Sequence, residues 1–100
     1  MTLLPRVILA AAALVIASPA LATGKMTCDA GPQSGWKTEK QLSEALTRRG
    51  WQIRKWKVDG GCYEVYGTTP EGQRVEAYFH PVTLEKLYVS QRGKILFQKK

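Results

Sequence analysis

The sequence is short of the residues from which catalytic and metal centres are built. Among 100 residues there is one histidine, His80, and there are two cysteines, Cys28 and Cys62. A zinc site needs three or four ligands at recognisable spacing, and these three residues offer none. A general base needs a nucleophile or a second acid beside it, and His80 has only Glu76 and Glu64 as acidic neighbours on its expected strand face. Acidic residues are also scarce, 8 against 15 lysines and arginines. No glycine-rich phosphate loop is present. No cofactor and no metal are expected, and an enzyme is the least favoured class.

Long apolar runs are scarce too. The one dense stretch, residues 7–16, is about ten residues long, too short to span a membrane. It follows Arg6 and precedes Ala20-Leu21-Ala22. That is the order of a secretory signal peptide: a basic start, an apolar middle, then small residues at the cleavage site. We assign residues 1–22 to this segment, with cleavage after Ala22 and Ala20 as the alternative site. An uncleaved anchor is disfavoured because no charged block follows as a stop-transfer signal. Export implies a periplasmic or secreted location.

Without Arg6 the remaining chain of about 78 residues keeps 14 basic and 8 acidic residues, a net charge of +6. The excess suits an anionic surface or an acidic protein face. Nucleic acid is discounted, because an exported protein rarely meets it. One domain of this size is marginal without support. An oxidising compartment makes a Cys28–Cys62 disulfide the simplest support. Closing a loop of about 35 residues is worth about 3–4 kcal/mol in the chain-entropy account.

Residues 23–35, rich in glycine with Pro32 and Ser34, read as an irregular arm. Residues 39–49 read as a helix. Thr38 and Gln41 form a capping box, Leu42, Ala45 and Leu46 an apolar stripe, and Gly50 a C-terminal stop. Trp36 is placed to cover the helix start. Strands follow at 51–58, 62–68, 73–80 and 84–90, with a short edge strand at 95–97. The turn signals Asp59-Gly60-Gly61, Thr69-Pro70-Glu71-Gly72 and Gln91-Arg92-Gly93-Lys94 separate them. Apolar parity flips between Ile53 and Trp56; a bulge near Arg54-Lys55 would restore one inward face, and the alternative is apolar surface on both faces, one against the helix and one against something external. The fold class is α+β: one N-terminal helix packed on a small antiparallel sheet of three to five strands. The stretch from Gly60 to Tyr66 is its hub, with Cys62 tethering the arm on one face and Tyr63 and Val65 under the helix on the other. Leu87 and Val89 are expected to point inward, and Lys86 and Tyr88 outward.

Three segments carry a resemblance: Leu42-Ser43-Glu44-Ala45-Leu46 through Gly50-Trp51-Gln52-Ile53-Arg54-Lys55, then Gly61-Cys62-Tyr63-Glu64-Val65-Tyr66, then Gly72 to Phe79. Together they resemble the PepSY domain family, in particular its small exported single-domain members, and residues 36–100 are assigned to such a domain. The family's turn after the third strand reads Asp-Pro-x-Thr-Gly. Here His80 stands in place of the acid and Leu84 in place of the glycine. The resemblance implies a non-enzymatic interaction or regulatory module, acting on a peptidase or another protein of the cell envelope, and it transfers no catalytic residue. The expected partner-binding face lies opposite the helix and comprises Tyr66, Tyr78, Tyr88, Arg74 and Lys86. The alternative is binding of an anionic lipid, polymer or small molecule through the same basic face.

Overall fold

The computed structural model describes residues 24–100. The assigned signal segment lies outside them. A 3-10 turn at Gln33–Gly35 precedes helix α1, Glu39–Arg48. Strands β1 (Gln52–Asp59), β2 (Cys62–Thr68), β3 (Arg74–Phe79), β4 (Lys86–Gln91) and β5 (Lys94–Gln98) follow. They pair in sequence order as an antiparallel meander of five strands. Short turns impose this order, because neighbouring segments joined by two to six residues find each other first.

Both ends of α1 are closed as the sequence predicts. The Thr38 side chain accepts from the Gln41 backbone, and the Gln41 side chain accepts from the Thr38 N–H. At the other end Trp51 N–H donates to Leu46 O at 2.9 Å and Gly50 N–H to Thr47 O at 3.0 Å, with Gly50 at φ 96°. That pair of bonds is a Schellman motif, and Leu46 and Trp51 meet in the core beside it. A helix of ten residues is marginal alone, so its stability comes from docking. Leu42 and Leu46 are fully buried against Tyr63, Val65, Val75, Ala77 and Phe79 of the sheet. Trp36 and Trp56 flank Tyr63 edge-on, at 5.6 and 5.3 Å between ring centroids, and Trp51 meets Phe79 in the same way at 5.3 Å.

The bulge in β1 falls between Ile53 and Lys55 and puts Ile53 and Trp56 on the core side together. Two further bulges, at Tyr78/Phe79 against β4 and at Val89/Ser90 against β5, have no clear sequence signal. The first changes the expected pattern in β4. Leu87 joins Cys62, Tyr78 and Tyr88 on the face away from the helix, while Lys86 pairs with Phe79. Strict alternation had set Leu87 inward with Val89. The extra residue at the bulge breaks that parity.

The loop between β3 and β4 keeps a tight turn despite its two unusual residues. His80 Nδ1 accepts from Val82 N–H at 3.1 Å and from Thr83 N–H at 3.4 Å, the task a carboxylate performs in an Asx turn. Leu84 adopts φ 61°. A left-handed leucine costs about 1–2 kcal/mol. Leu84 is 4% exposed in the main core, and burial of a leucine is worth about 1.5–3 kcal/mol, so packing holds the conformation. The loop pins both ends of α1: Lys37 N–H donates to Pro81 O, and Arg49 Nη1 donates to Leu84 O, each at 2.8 Å.

Candidate functional site

The second sheet face, away from α1, divides into a closed end and an open end. Two cross-strand rows order it. Lys57, Glu64, Tyr78, Tyr88 and Gln98 stand opposite one another across all five strands. Lys55, Tyr66, Glu76, Ser90 and Ile95 form the next row, towards the turn that joins β2 and β3.

The N-terminal arm closes one end. Cys28 and Cys62 are joined by a disulfide, with their Cα atoms 5.1 Å apart. Cys28 N–H donates to Gly60 O at 2.8 Å. Gly60 and Gly61 have φ values of 63° and 80°, the both-positive pair that a type I′ hairpin needs. They serve the arm as well. A Cβ at Gly60 would collide with the carbonyl of Met26, and one at Gly61 would lie 2.6 Å from the carbonyl of Cys28. Tyr78 completes the clasp. Its hydroxyl donates to Asp59 Oδ2 at 2.7 Å and accepts from Lys25 N–H at 3.3 Å. Burial, and then the bond to Asp59, push its phenol well above the ordinary tyrosine range.

Glu64 lies between the two ends. It is 3% exposed, with Lys57 Nζ 3.7 Å from its carboxylate. Desolvation raises its pKa, and the Tyr66 hydroxyl and the Lys57 ammonium only partly oppose the rise. Its ion-pair partner is Lys57, directly opposite on β1.

The open end holds a cleft of about 260 Å³. Tyr66, Glu76 and Ser90 form its floor, in register across β2, β3 and β4, and Arg54, Arg74 and Arg92 stand around it. Arg54 comes from the β1 bulge and Arg92 from the β4–β5 turn. A second cleft, also about 260 Å³, opens on the helix side beyond the end of α1. Trp51, Pro70, Val89, Leu96 and Phe97 line it, and Lys86 Nζ lies 4.1 Å from the centre of the Phe97 ring.

The five residues expected to form one partner-binding face are thus separated. Tyr66 and Arg74 meet in the open cleft. Tyr78 and Tyr88 lie on the same face but are 2% and 6% exposed, stacked edge-on beneath the arm. Lys86 belongs to the helix-side cleft. Ser90 and Arg92 were not among the expected site residues. The available signal was Arg92 itself, an arginine before Gly93 where a tight turn prefers asparagine, aspartate or glycine.

The sheet edges differ as well. β1 is bulged and carries Arg54, Lys55 and Lys57, features that discourage strand addition. β5 has no outer strand partner among the described residues, and it exposes Ile95 (51%) and Phe97 (36%).

Among the described residues no helix is long and apolar enough to cross a membrane, and no group of three or more acidic, histidine or cysteine side chains is arranged to hold a metal. No curated protein and no solved structure matches the chain. A family model does, described as peptidase propeptide and YPEB domain, over residues 6–88. With that match covering most of the sequence, and with one helix on a five-stranded antiparallel sheet beneath it, the chain belongs to the PepSY family of peptidase-propeptide and YPEB domains.

Proposed function

We propose that the chain is an exported, non-enzymatic interaction module that regulates a peptidase or another protein of the cell envelope. The observation that carries this reading is the free edge of β5, where Ile95 and Phe97 stand exposed beside unpaired backbone groups. An extended segment of a partner can add to such an edge, with its backbone supplying affinity and its alternate side chains entering pockets. The helix-side cleft lies next to Phe97, with Trp51, Val89 and Leu96 among its lining, and could receive one of those side chains. Membership of a propeptide family supports the same reading, since a propeptide acts by contact with its peptidase.

The test is in-cell photocrosslinking with a benzophenone amino acid in place of Phe97, and in a control in place of Lys40 on the exposed side of α1. The expected result is a discrete adduct with an envelope protein from position 97 and none from position 40. No adduct from position 97, or the same adducts from both positions, would overturn the proposal.

A further inference from the structure

We infer that the three-arginine cleft at the open end of the second face is a carboxylate-binding site, built to take acidic side chains of a partner polypeptide. The inference rests on the reading of the chain as an interaction module and names the chemistry of what it recognises.

Three observations carry it. Arg54, Arg74 and Arg92 come from three separate parts of the sheet and line one recess, yet among the described residues no carboxylate lies within ion-pair distance of any of them. Three guanidiniums around a lining with one carboxylate, Glu76, leave the recess net positive, which favours an anion between them. Guanidinium forks match a carboxylate in a planar, two-bond geometry that a lysine cannot reproduce.

The second observation is the backbone of Arg92. It sits at φ 50°, followed by Gly93 at φ 83°, in the two-residue turn between Gln91 and Lys94. A left-handed conformation disfavours an arginine and suits glycine or asparagine. Leu84 shares the conformation, but burial in the core compensates it there. Arg92 is exposed, so no burial does the same for it. The two-residue hairpin imposes the conformation, and its cost falls on a residue whose side chain lines the cleft.

The third is Ser90. It is 2% exposed on the cleft floor, opposite Glu76 on β3. A hydroxyl there can donate to a bound carboxylate oxygen.

The floor also selects among anions. Glu76 lies in it, and a fixed negative charge there disfavours a doubly charged phosphate relative to a single carboxylate. A glutamate or aspartate side chain on a flexible segment brings one carboxylate at a time.

The experiment is a titration of the full chain, disulfide intact, with a fluorescein-labelled hexaglutamate peptide, followed by anisotropy at low and at physiological salt. Binding that weakens with salt is expected. Arg74→Gln and Arg92→Asn should each weaken it by about tenfold. Lys40→Gln, which removes the same charge from α1, should change it by less than about twofold. Arg92→Asn should also raise the thermal midpoint while it lowers affinity, the opposite of what a merely structural arginine would do. An equal loss in Lys40→Gln would overturn the site in favour of diffuse attraction. Arg74-dependent binding of phosphatidylglycerol vesicles without binding of the peptide would overturn it in favour of a membrane surface. Absence of peptide binding would overturn it too, and a crosslinked partner at position 97 would then leave the interaction module standing without this site.

Discussion

The two faces of the sheet are closed by different physics. On the helix side, Leu42 and Leu46 sink into a continuous apolar layer formed by Tyr63, Val65, Val75, Ala77 and Phe79. Area removed from water does the work there, and the layer extends over the central strands. On the other side, cover comes from a single covalent tether and a few polar contacts. The disulfide, the Cys28–Gly60 hydrogen bond and the Tyr78 clasp hold the arm over one end, and nothing among the described residues covers the other. The first arrangement specifies a fold. The second protects part of a surface and leaves the rest, with its arginines, available.

That contrast can be broken from either side. The largest effect is expected on the helix side. Leu46→Ala removes a fully buried side chain at the Schellman contact with Trp51, and a cavity of that kind costs about 2–5 kcal/mol. Urea denaturation followed by far-UV circular dichroism should show much or all of the stability of so small a domain gone. Replacing both cysteines by serine should cost about 3–4 kcal/mol in the chain-entropy account and should also free the arm. Limited proteolysis after Lys25 should become fast in that variant while the helix-side core remains protected. Retention of the arm without the disulfide would show that the polar clasp suffices.

Smaller changes sharpen the comparison within the second face. Tyr78→Phe keeps the ring and its edge-on contact with Tyr88 but removes the bonds to Asp59 and Lys25, at a cost of about 1 kcal/mol. Thr38→Ala, on the helix side, should cost about the same through loss of the capping box. The smallest effect concerns Glu64. Its folded pKa lies above its unfolded one, so its charged form is disfavoured by folding. The penalty is absent below the unfolded pKa and grows as pH rises through the folded value. Glu64→Gln should therefore be at least as stable as the native chain at neutral pH, and the advantage should shrink towards acid pH. A less stable variant at neutral pH would mean that the contact with Lys57 outweighs desolvation.

The helix side was largely legible in the sequence. The Thr38–Gln41 box, Gly50, the Leu42–Leu46 stripe and the parity flip at Arg54-Lys55 are local signals, and each corresponds to a feature of the fold. The disulfide was legible because the sequence has two cysteines alone, and in a chain read as exported their pairing is the simplest outcome. The open cleft was not. Its residues come from β1, β2, β3, β4 and a turn, and only register brings them together. The bulges at Tyr78/Phe79 and Val89/Ser90 also lie between residues of ordinary strand propensity, so Leu87 and Lys86 changed faces without a local sign. Burial of Tyr78 and Tyr88 depends on where the arm lies, and a glycine-rich lead-in does not encode its path in periodicity. The turn at His80 shows the reverse case. A departure from the family pattern kept the geometry, because an imidazole nitrogen accepts the backbone hydrogen bonds and the core holds Leu84 in place.

The division of the second face into a closed and an open end is tested most directly by amide chemical shifts during titration of the labelled chain with hexaglutamate. The shifts are expected to be confined to Arg54, Thr68, Arg74, Glu76 and the segment from Ser90 to Gly93, with Met26, Cys28 and the Gly60-Gly61 turn unmoved. Shifts centred on the arm and that turn, or spread evenly over the exposed lysines, would contradict it.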